Sequence, residues 1–339
     1  MSEEITQQIT IGAGCGMDEL LAFLLTGKPT AEDDLCRALR LTRAELAKNA
    51  DALEAKGYRI DRAGLWQLTP HWGSLLPGDI RAELQTARYG RGEILYAPEM
   101  GSTNIELKHA AALNVLPEGS LAICDRQTQG KGRLNRVWED TGAETALTSS
   151  LLLRSTLPPD RVPLLTLAVA LAAAEAIGSY GPDAKIKWPN DVVIGTRKCV
   201  GILCETVTDP AGERCVVAGA GFNVNQPSFP EALQNKATSL LMEDGAPVNR
   251  RELLCRYLLA MERSMRLLET NDLQGFFSEY ADRSVTLGSR VEVIGVNERF
   301  TGIAERVDET GALWVRPDGG EPRRVLSGDV SVRGVMGYV

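Results

Sequence analysis

Between Pro163 and Ser179 the chain reads PLLTLAVALAAAEAIGS, an apolar run interrupted by Thr166 and Glu175. It falls short of the roughly 20 residues that a membrane span needs, so it reads as a buried core helix. The 339 residues of the chain exceed what one hydrophobic core usually holds, and two or three domains are expected. Hydrophobic residues at 44% and charged residues at 24% fit an ordinary soluble globular protein. The formal net charge of −8 argues against a surface coated for nonspecific binding to nucleic acid or membrane, and leaves room for local basic patches only. The first residues, MSEEITQQIT, are acidic and polar and carry no charged-then-apolar signal pattern.

The seven cysteines (Cys15, Cys36, Cys124, Cys199, Cys204, Cys215 and Cys255) form no CxxC pair. An odd number without that spacing suits a reducing cytosol better than a disulfide framework, so a cytoplasmic location is expected. Cys199, Cys204 and Cys215 lie in apolar strand-like runs and read as small buried hydrophobes. His71 and His109 are the only histidines, which argues against a multi-histidine metal site or a histidine-based triad. The chemistry must rest on Lys, Arg, Asp, backbone amides or a weakly held metal.

Two stretches narrow that chemistry. QTQGKGRLNRVW, from Gln127 to Trp138, is a glycine-punctuated basic loop. Its glycines let backbone N–H groups approach anions, and Lys131, Arg133 and Arg136 add positive charge. KWPND, from Lys187 to Asp191, sets a lysine beside a tryptophan and a proline that restricts the backbone where the charge must be aimed. Together they read as a phosphate-handling site. IGAGCG (Ile11 to Gly16) and GAG (Gly219 to Gly221) each match part of a dinucleotide fingerprint, but neither gives the full GxGxxG between a strand and a helix. GKGR lacks the Ser or Thr and the spacing of a P-loop.

From Met17 to Pro70, helical periodicity appears in DELLAFLL, AEDDLCRALR and TRAELAKNADALEAKG, with Asp18, Thr30 and Thr42 as expected caps. Gly57 is expected to end the third helix, and YRIDRAGLWQL reads as a hairpin turning near Ala63–Gly64. Three short helices and a hairpin predict a winged helix-turn-helix. Thr42, Arg43, Lys48 and Asn49 are its candidate DNA contacts. The segment carries eight Lys and Arg against nine Asp and Glu, where a DNA-reading module is usually basic. A dimerisation or regulatory module without DNA contact therefore stays open.

Further on, EILYAPEM predicts a strand and STNIELKHAAALNVL a helix capped by Ser102. LAICD and ALTSSLLLR predict strands on either side of the glycine loop. KIKWPNDVVI and KCVGILCETV predict a hairpin turning at Gly195–Thr196, and RCVVAGAGFNVN a further strand whose Gly219 and Gly221 permit close backbone approach. From Ser284, five short runs with turns at Asn297, Thr310–Gly311 and Asp318–Gly320 predict a small SH3-like barrel. The expected domains are 17–76, 77–283 and 284–339.

GSTN (Gly101 to Asn104), QTQGKGRLNRVW, KWPND, RKCVGILCE (Arg197 to Glu205), GAGFNVN (Gly219 to Asn225) and ATSL (Ala237 to Leu240) occur in one order with plausible spacing. In that set the chain resembles the biotin protein ligases, specifically the longer bacterial type that is also a biotin operon repressor. The resemblance implies an α+β protein: an N-terminal winged helix-turn-helix, a class II synthetase-like mixed sheet with helices, and a C-terminal SH3-like barrel. It implies ATP and Mg²⁺ as co-reactant and cofactor, and biotin and a biotin carboxyl carrier protein as substrates. Operator DNA and a second copy of the chain are further implied partners.

The resemblance places Ser102, Thr103, Asn104, Gln127, Gly130, Lys131, Gly132, Arg133, Lys187, Gly219 and Gly221 around biotin. It places Arg133, Arg136, Trp138, Lys187, Asn190 and Asn223 around ATP or the adenylate, with Lys187 and Arg133 as the catalytic pair. Lys131 stands where arginine is common, and Leu134–Asn135 where a basic–glycine pair is often found. Lysine keeps the charge without the planar fork, and Asn135 tolerates unusual backbone angles nearly as well as glycine, so loop closure is expected to survive. GAETALTSS replaces a segment that usually carries an Asn and an aromatic. A lipoate or octanoate transferase on the same fold is the alternative enzyme. A regulator using biotinyl-adenylate mainly as corepressor is the alternative from a different class.

Overall fold

Thr42 and Glu45 form a reciprocal capping box: Thr42 Oγ1 accepts from Glu45 N at 3.3 Å, and Glu45 Oε2 accepts from Thr42 N at 2.9 Å. It starts the third helix of the N-terminal unit, Met1–His71. The computed structural model describes residues 16–55, 58–69, 73–139, 142, 144–154, 157–295, 299–327 and 331–334. Within them the unit comprises α1 (Gly16–Leu24), β1 (Thr30–Ala31), α2 (Glu32–Leu39), α3 (Arg43–Ala55), β2 (Ile60–Asp61) and β3 (Leu65–Leu68). The strands lie in the order β1-β3-β2. Leu20, Leu24, Leu35, Leu46, Leu53 and Trp66 are buried between helices and sheet.

Two expected caps are corrected. α1 begins at Gly16 with Asp18 inside its first turn, where a carboxylate faces the positive end of the helix dipole. Thr30 pairs with Trp66 across the sheet, so α2 starts after Ala31 instead. The hairpin does turn at Ala63–Gly64, with Ala63 N donating to Asp61 Oδ1 at 2.9 Å. Gly57 lies outside the described residues.

The second unit, Trp72–Val339, is built on a seven-stranded sheet. In chain order it has α4 (Pro77–Glu83), β4 (Ile94–Met100), α5 (Thr103–Leu113), β5 (Leu121–Gln127), β6 (Ala146–Leu153) and α6 (Pro163–Gly178). β7 (Ala184–Lys187), β8 (Asp191–Ile194), β9 (Arg197–Thr208) and β10 (Arg214–Asn223) complete the sheet. Its order is β4-β5-β6-β10-β9-β8-β7. β4 and β5 run parallel through the α5 crossover, and the other neighbours are antiparallel. Then follow α7 (Leu240–Asp244), α8 (Arg250–Glu269) and α9 (Leu273–Arg283).

All eight residues of β6 are buried, because helices cover both faces of the sheet. α6 joins the large core, while Leu107 and Ala111 of α5 form a smaller cluster with Ala122, Leu152, Cys215 and Val217. α6 buries 12 of its 16 residues, so it has no face to give to water. Each Leu, Val or Ile so enclosed contributes about 1.5–3 kcal/mol. Among the described residues, Pro159–Gly178 is the one helical stretch long and apolar enough to pass for a membrane span, and most of it is buried inside the fold.

KIKWPNDVVI is not one strand. It breaks at Trp188–Pro189 into β7 and β8, which pair Lys187 with Asp191, and the expected Gly195–Thr196 turn joins β8 to β9. The last elements are β11 (Arg290–Ile294), β12 (Arg299–Val307), β13 (Leu313–Pro317), β14 (Arg323–Val325) and β15 (Ser331–Gly334). They form an antiparallel five-stranded sheet in the order β14-β13-β12-β11-β15. Its Val291, Val293, Ala304, Leu313 and Val315 join the same core as α6. The turns at Thr310–Gly311 and Asp318–Gly320 are present; Asn297 lies outside the described residues.

Candidate active site

The chain leaves β4 and enters α5 through Ser102, Thr103 and Asn104, all at least 95% buried. Ser102 occupies the N-cap position but its hydroxyl makes no capping bond. The free amide of Thr103 donates instead to Gln127 Oε1 at 2.8 Å, from the end of β5. Ser150 of β6 lies 2.8 Å from Thr103 Oγ1 and 2.6 Å from Asn104 Oδ1. The Asn104 amide donates to Leu203 O and to Glu205 Oε2, which also holds Lys108 through its carboxylate partner oxygen at 2.7 Å. Burial alone would raise the Glu205 carboxyl, but hydrogen bonds from Lys108 and Asn104 outweigh it and hold it below the usual carboxylate range. This end of the site is a hydroxyl and amide network, suited to a neutral polar ring.

The other end is cationic. Lys187 ends β7 at 6% exposed. Arg133, from the glycine loop, donates to Asn190 Oδ1 at 2.9 Å, which ties the two sequence stretches together. Burial pushes its guanidinium below its usual value, while Asp191 opposes that shift. Lys198 Nζ lies 2.6 Å from Asp191 Oδ1 and over the Trp138 ring at 5.6 Å. Asp191 is thus the ion-pair partner of Lys198.

The glycine loop closes on itself: Trp138 N donates to Gly130 O at 3.0 Å, and Gly132 N to Arg136 O at 2.7 Å. The left-handed residue in it is Leu134, at φ 56. A non-glycine there costs about 1–2 kcal/mol, and Leu134 remains 57% exposed. Trp138 packs between glycines. A Cβ at Gly221 or Gly201 would stand 2.7 Å from its ring, and one at Gly130 2.5 Å from its carbonyl. A Cβ at Gly219 would stand 2.1 Å from Asn104 Oδ1. These glycines are therefore required by neighbouring atoms of the protein itself. The Trp138 Nε1–H is buried with no hydrogen-bond partner among the described residues.

One cavity of about 720 Å³ is lined by every expected biotin and adenylate residue except Gly130, which supports Trp138 from behind. Reasoning from sequence missed Ser150, Glu205 and Lys198, and the wall made by Phe229, Leu233, Lys236 and Ala237. The hydroxyl-rich ALTSS inside an otherwise apolar strand was a usable signal for Ser150. Nothing local marked Phe229 or Leu233. In the N-terminal unit, Lys48 is exposed, Thr42 is held in its capping box, Asn49 Nδ2 would stand 2.9 Å from a Cβ at Gly16, and Arg43 pairs with Asp33 at 2.6 Å.

Residues 97–223 match the Biotin/lipoate A/B protein ligase family, and residues 286–333 match the Biotin protein ligase C terminal domain. The chain is 32% identical over 300 residues to the bifunctional ligase/repressor BirA of Bacillus spizizenii, spanning 87% of this chain and 91% of that one. It is 33% identical over 257 residues to the biotin--[acetyl-CoA-carboxylase] ligase of Mycobacterium tuberculosis, spanning 74% and 93%. The biotin protein ligase from Aquifex aeolicus, solved in complex with biotin and ATP, superposes with a TM-score of 0.62 at 29% identity, over 71% of this chain and 99% of that one.

Proposed function

The chain belongs to the biotin protein ligase family, and from that premise we propose that its pocket joins biotin to ATP as biotinyl-5′-AMP and passes biotin to a carrier lysine. The acceptor is a biotin carboxyl carrier protein of an acetyl-CoA carboxylase or related carboxylase. The observation that carries the reading is the polarity of one cavity, with hydroxyl and amide groups at Thr103 and Gln127, backed by the buried Ser150, and a cationic end at Lys187, Arg133 and Lys198. A ureido ring and a carboxylate meeting a phosphate need those two ends in that relation.

In the first step a biotin carboxylate oxygen bonds to the α-phosphorus and pyrophosphate leaves. Two anions must meet, so positioned charge replaces a base. Lys187 and Arg133 supply it, with Gly130, Lys131 and Gly132 forming the lid above. In the second step the carrier amine bonds to the biotinyl carbonyl carbon and AMP leaves with the phosphate oxygen. Until then the loop from Gly130 to Trp138 keeps water from the mixed anhydride. Trp138 offers the adenine a ring face and an unpartnered Nε1–H, with Asn190, Asn223 and Arg136 around it. Mg²⁺ would supply charge that shields the leaving pyrophosphate, and among the described residues no group of three or more His, Cys, Asp or Glu side chains could hold it.

The test is incubation with biotin, MgATP and a biotin carrier domain, with the carrier's mass as readout. The expected result is one added biotinyl group. A carrier left unmodified by biotin but modified by lipoate would assign the lipoate alternative instead.

We further propose that residues 17–76 are a winged helix-turn-helix that binds operator DNA, 77–283 the catalytic domain and 284–339 an SH3-like barrel, in a cytoplasmic protein. Two copies on one operator are part of this reading. The exposed Lys48 and the Thr42–Glu45 cap of α3 support DNA contact, whereas Arg43 is engaged by Asp33. With biotinyl-5′-AMP present, the full chain is expected to shift its own biotin-gene promoter, less so as salt rises. No salt-sensitive shift leaves the ligase activity alone.

A further inference from the structure

Trp188, the tryptophan of KWPND, is 1% exposed and is bonded to a distant part of the chain. Its backbone N–H donates to Thr286 Oγ1 at 2.9 Å, and its indole Nε1–H donates to the Gly311 carbonyl at 3.1 Å. Thr286 precedes β11, and Gly311 lies in the turn between β12 and β13. Beside them Val285 N donates to Ile186 O at 3.0 Å. The C-terminal segment is therefore seamed to β7 over the residues that precede and follow Lys187.

Both acceptors are themselves fixed. Ser284 Oγ accepts from Thr286 N and Leu287 N, each at 3.2 Å. Asp308 organises the Gly311 turn: its carboxylate accepts from Thr310 N and Oγ1, Ala312 N, Trp314 Nε1 and Arg324 Nε at 2.6–3.2 Å. Gly311 takes φ 83, and a Cβ there would sit 3.4 Å from Pro163 at the start of α6. The turn is thus held against the buried helix on one side and its own aspartate on the other.

We infer that Thr286 and the Gly311 carbonyl are positioning groups for adenylation, clamping Trp188 so that Lys187 and Asn190, on either side of it, are aimed into the pocket. The inference rests on Lys187 being the adenylation lysine. Only Trp188, Pro189 and Asn190 separate Lys187 from its cross-strand partner Asp191, so a rotation of Trp188 moves both walls. Asn190 also receives Arg133, which extends the clamp to the lid. Displacements of about 1 Å at a reacting centre can cost 10²-fold in rate. The C-terminal sheet then contributes to the chemistry without lining the cavity.

Thr286→Val keeps the side-chain shape and removes the acceptor for Trp188 N. The test uses the full-length chain, follows pyrophosphate release, and records kcat and KM for biotin and ATP together with Tm. We expect kcat to fall about tenfold with KM for biotin unchanged, and Thr286→Ser to restore it. Trp188→Phe, which keeps one six-membered aromatic ring and loses the Nε1–H with the rest of the indole, is expected to lower kcat in the same way, and read together with its Tm it decides the matter should Thr286→Val fold poorly. In a Lys187→Arg background Thr286→Val should add no further loss. Wild-type kcat in both clamp variants, or an equal further loss in the Lys187→Arg background, overturns the clamp while leaving the ligase reading intact. A fully active Lys187→Ala overturns the premise and the clamp's aim with it.

Discussion

Lys187→Ala is expected to lower biotinyl-5′-AMP formation about 10³-fold, measured as pyrophosphate release with saturating biotin and MgATP, while the thermal unfolding transition stays close to that of the parent chain. Lys187 is 6% exposed at the end of β7 and lines the cationic end of the cavity. In the proposed reaction an ammonium there would offset charge as the carboxylate approaches the phosphate, where water screens it little. Arg133 and Lys198 remain nearby, but Arg133 is directed to Asn190 and Lys198 to Asp191. Neither side chain is placed to move into the space without abandoning its partner. A variant that forms adenylate within a few-fold of the parent rate would remove Lys187 from the chemistry.

Arg133→Gly is expected to form the adenylate and lose it. The lid is tied to the KWPND turn through the Arg133–Asn190 bond, and hydrogen bonds from a charged group contribute about 1.5–3 kcal/mol. Release of biotinyl-5′-AMP should therefore accelerate about 10- to 100-fold, read by rapid filtration of labelled adenylate in the absence of carrier. Adenylate formation in a single turnover should fall far less. Equal effects of Arg133→Gly and Lys187→Ala on both steps would merge the two roles and sink this division. Lys131 and Leu134 do not replace the contact. Lys131 is exposed and Leu134 is apolar and turned outward.

Much of this site was legible in order along the chain. Glycines at 130 and 132, the basic residues beside them and the restrained Lys187 signalled anion binding, while Gly219 and Gly221 signalled only a close backbone approach. The reasons for individual glycines were not legible. Gly219 and Gly221 permit the approach of Asn104 and Trp138 from other elements, and that is decided by packing between segments. The same holds for Ser102, whose expected cap is supplied by Gln127 from the neighbouring strand. Thr30 was drawn from its cap into a strand by Trp66, a partner 36 positions away by number.

By itself the sequence determined that a helix from Pro163 must be buried, that a glycine-rich basic loop and a restrained lysine handle anions, and that small β-runs close the chain. Those conclusions follow from periodicity, backbone restriction and charge, which act over a few residues. The tertiary structure decided which groups meet. It brought Ser150 to Thr103, Arg133 to Asn190, and Thr286 and Gly311 to Trp188. Hydrogen bonds between buried groups depend on distances of tenths of an ångström, and those distances are set by how the sheet and helices pack across the whole unit.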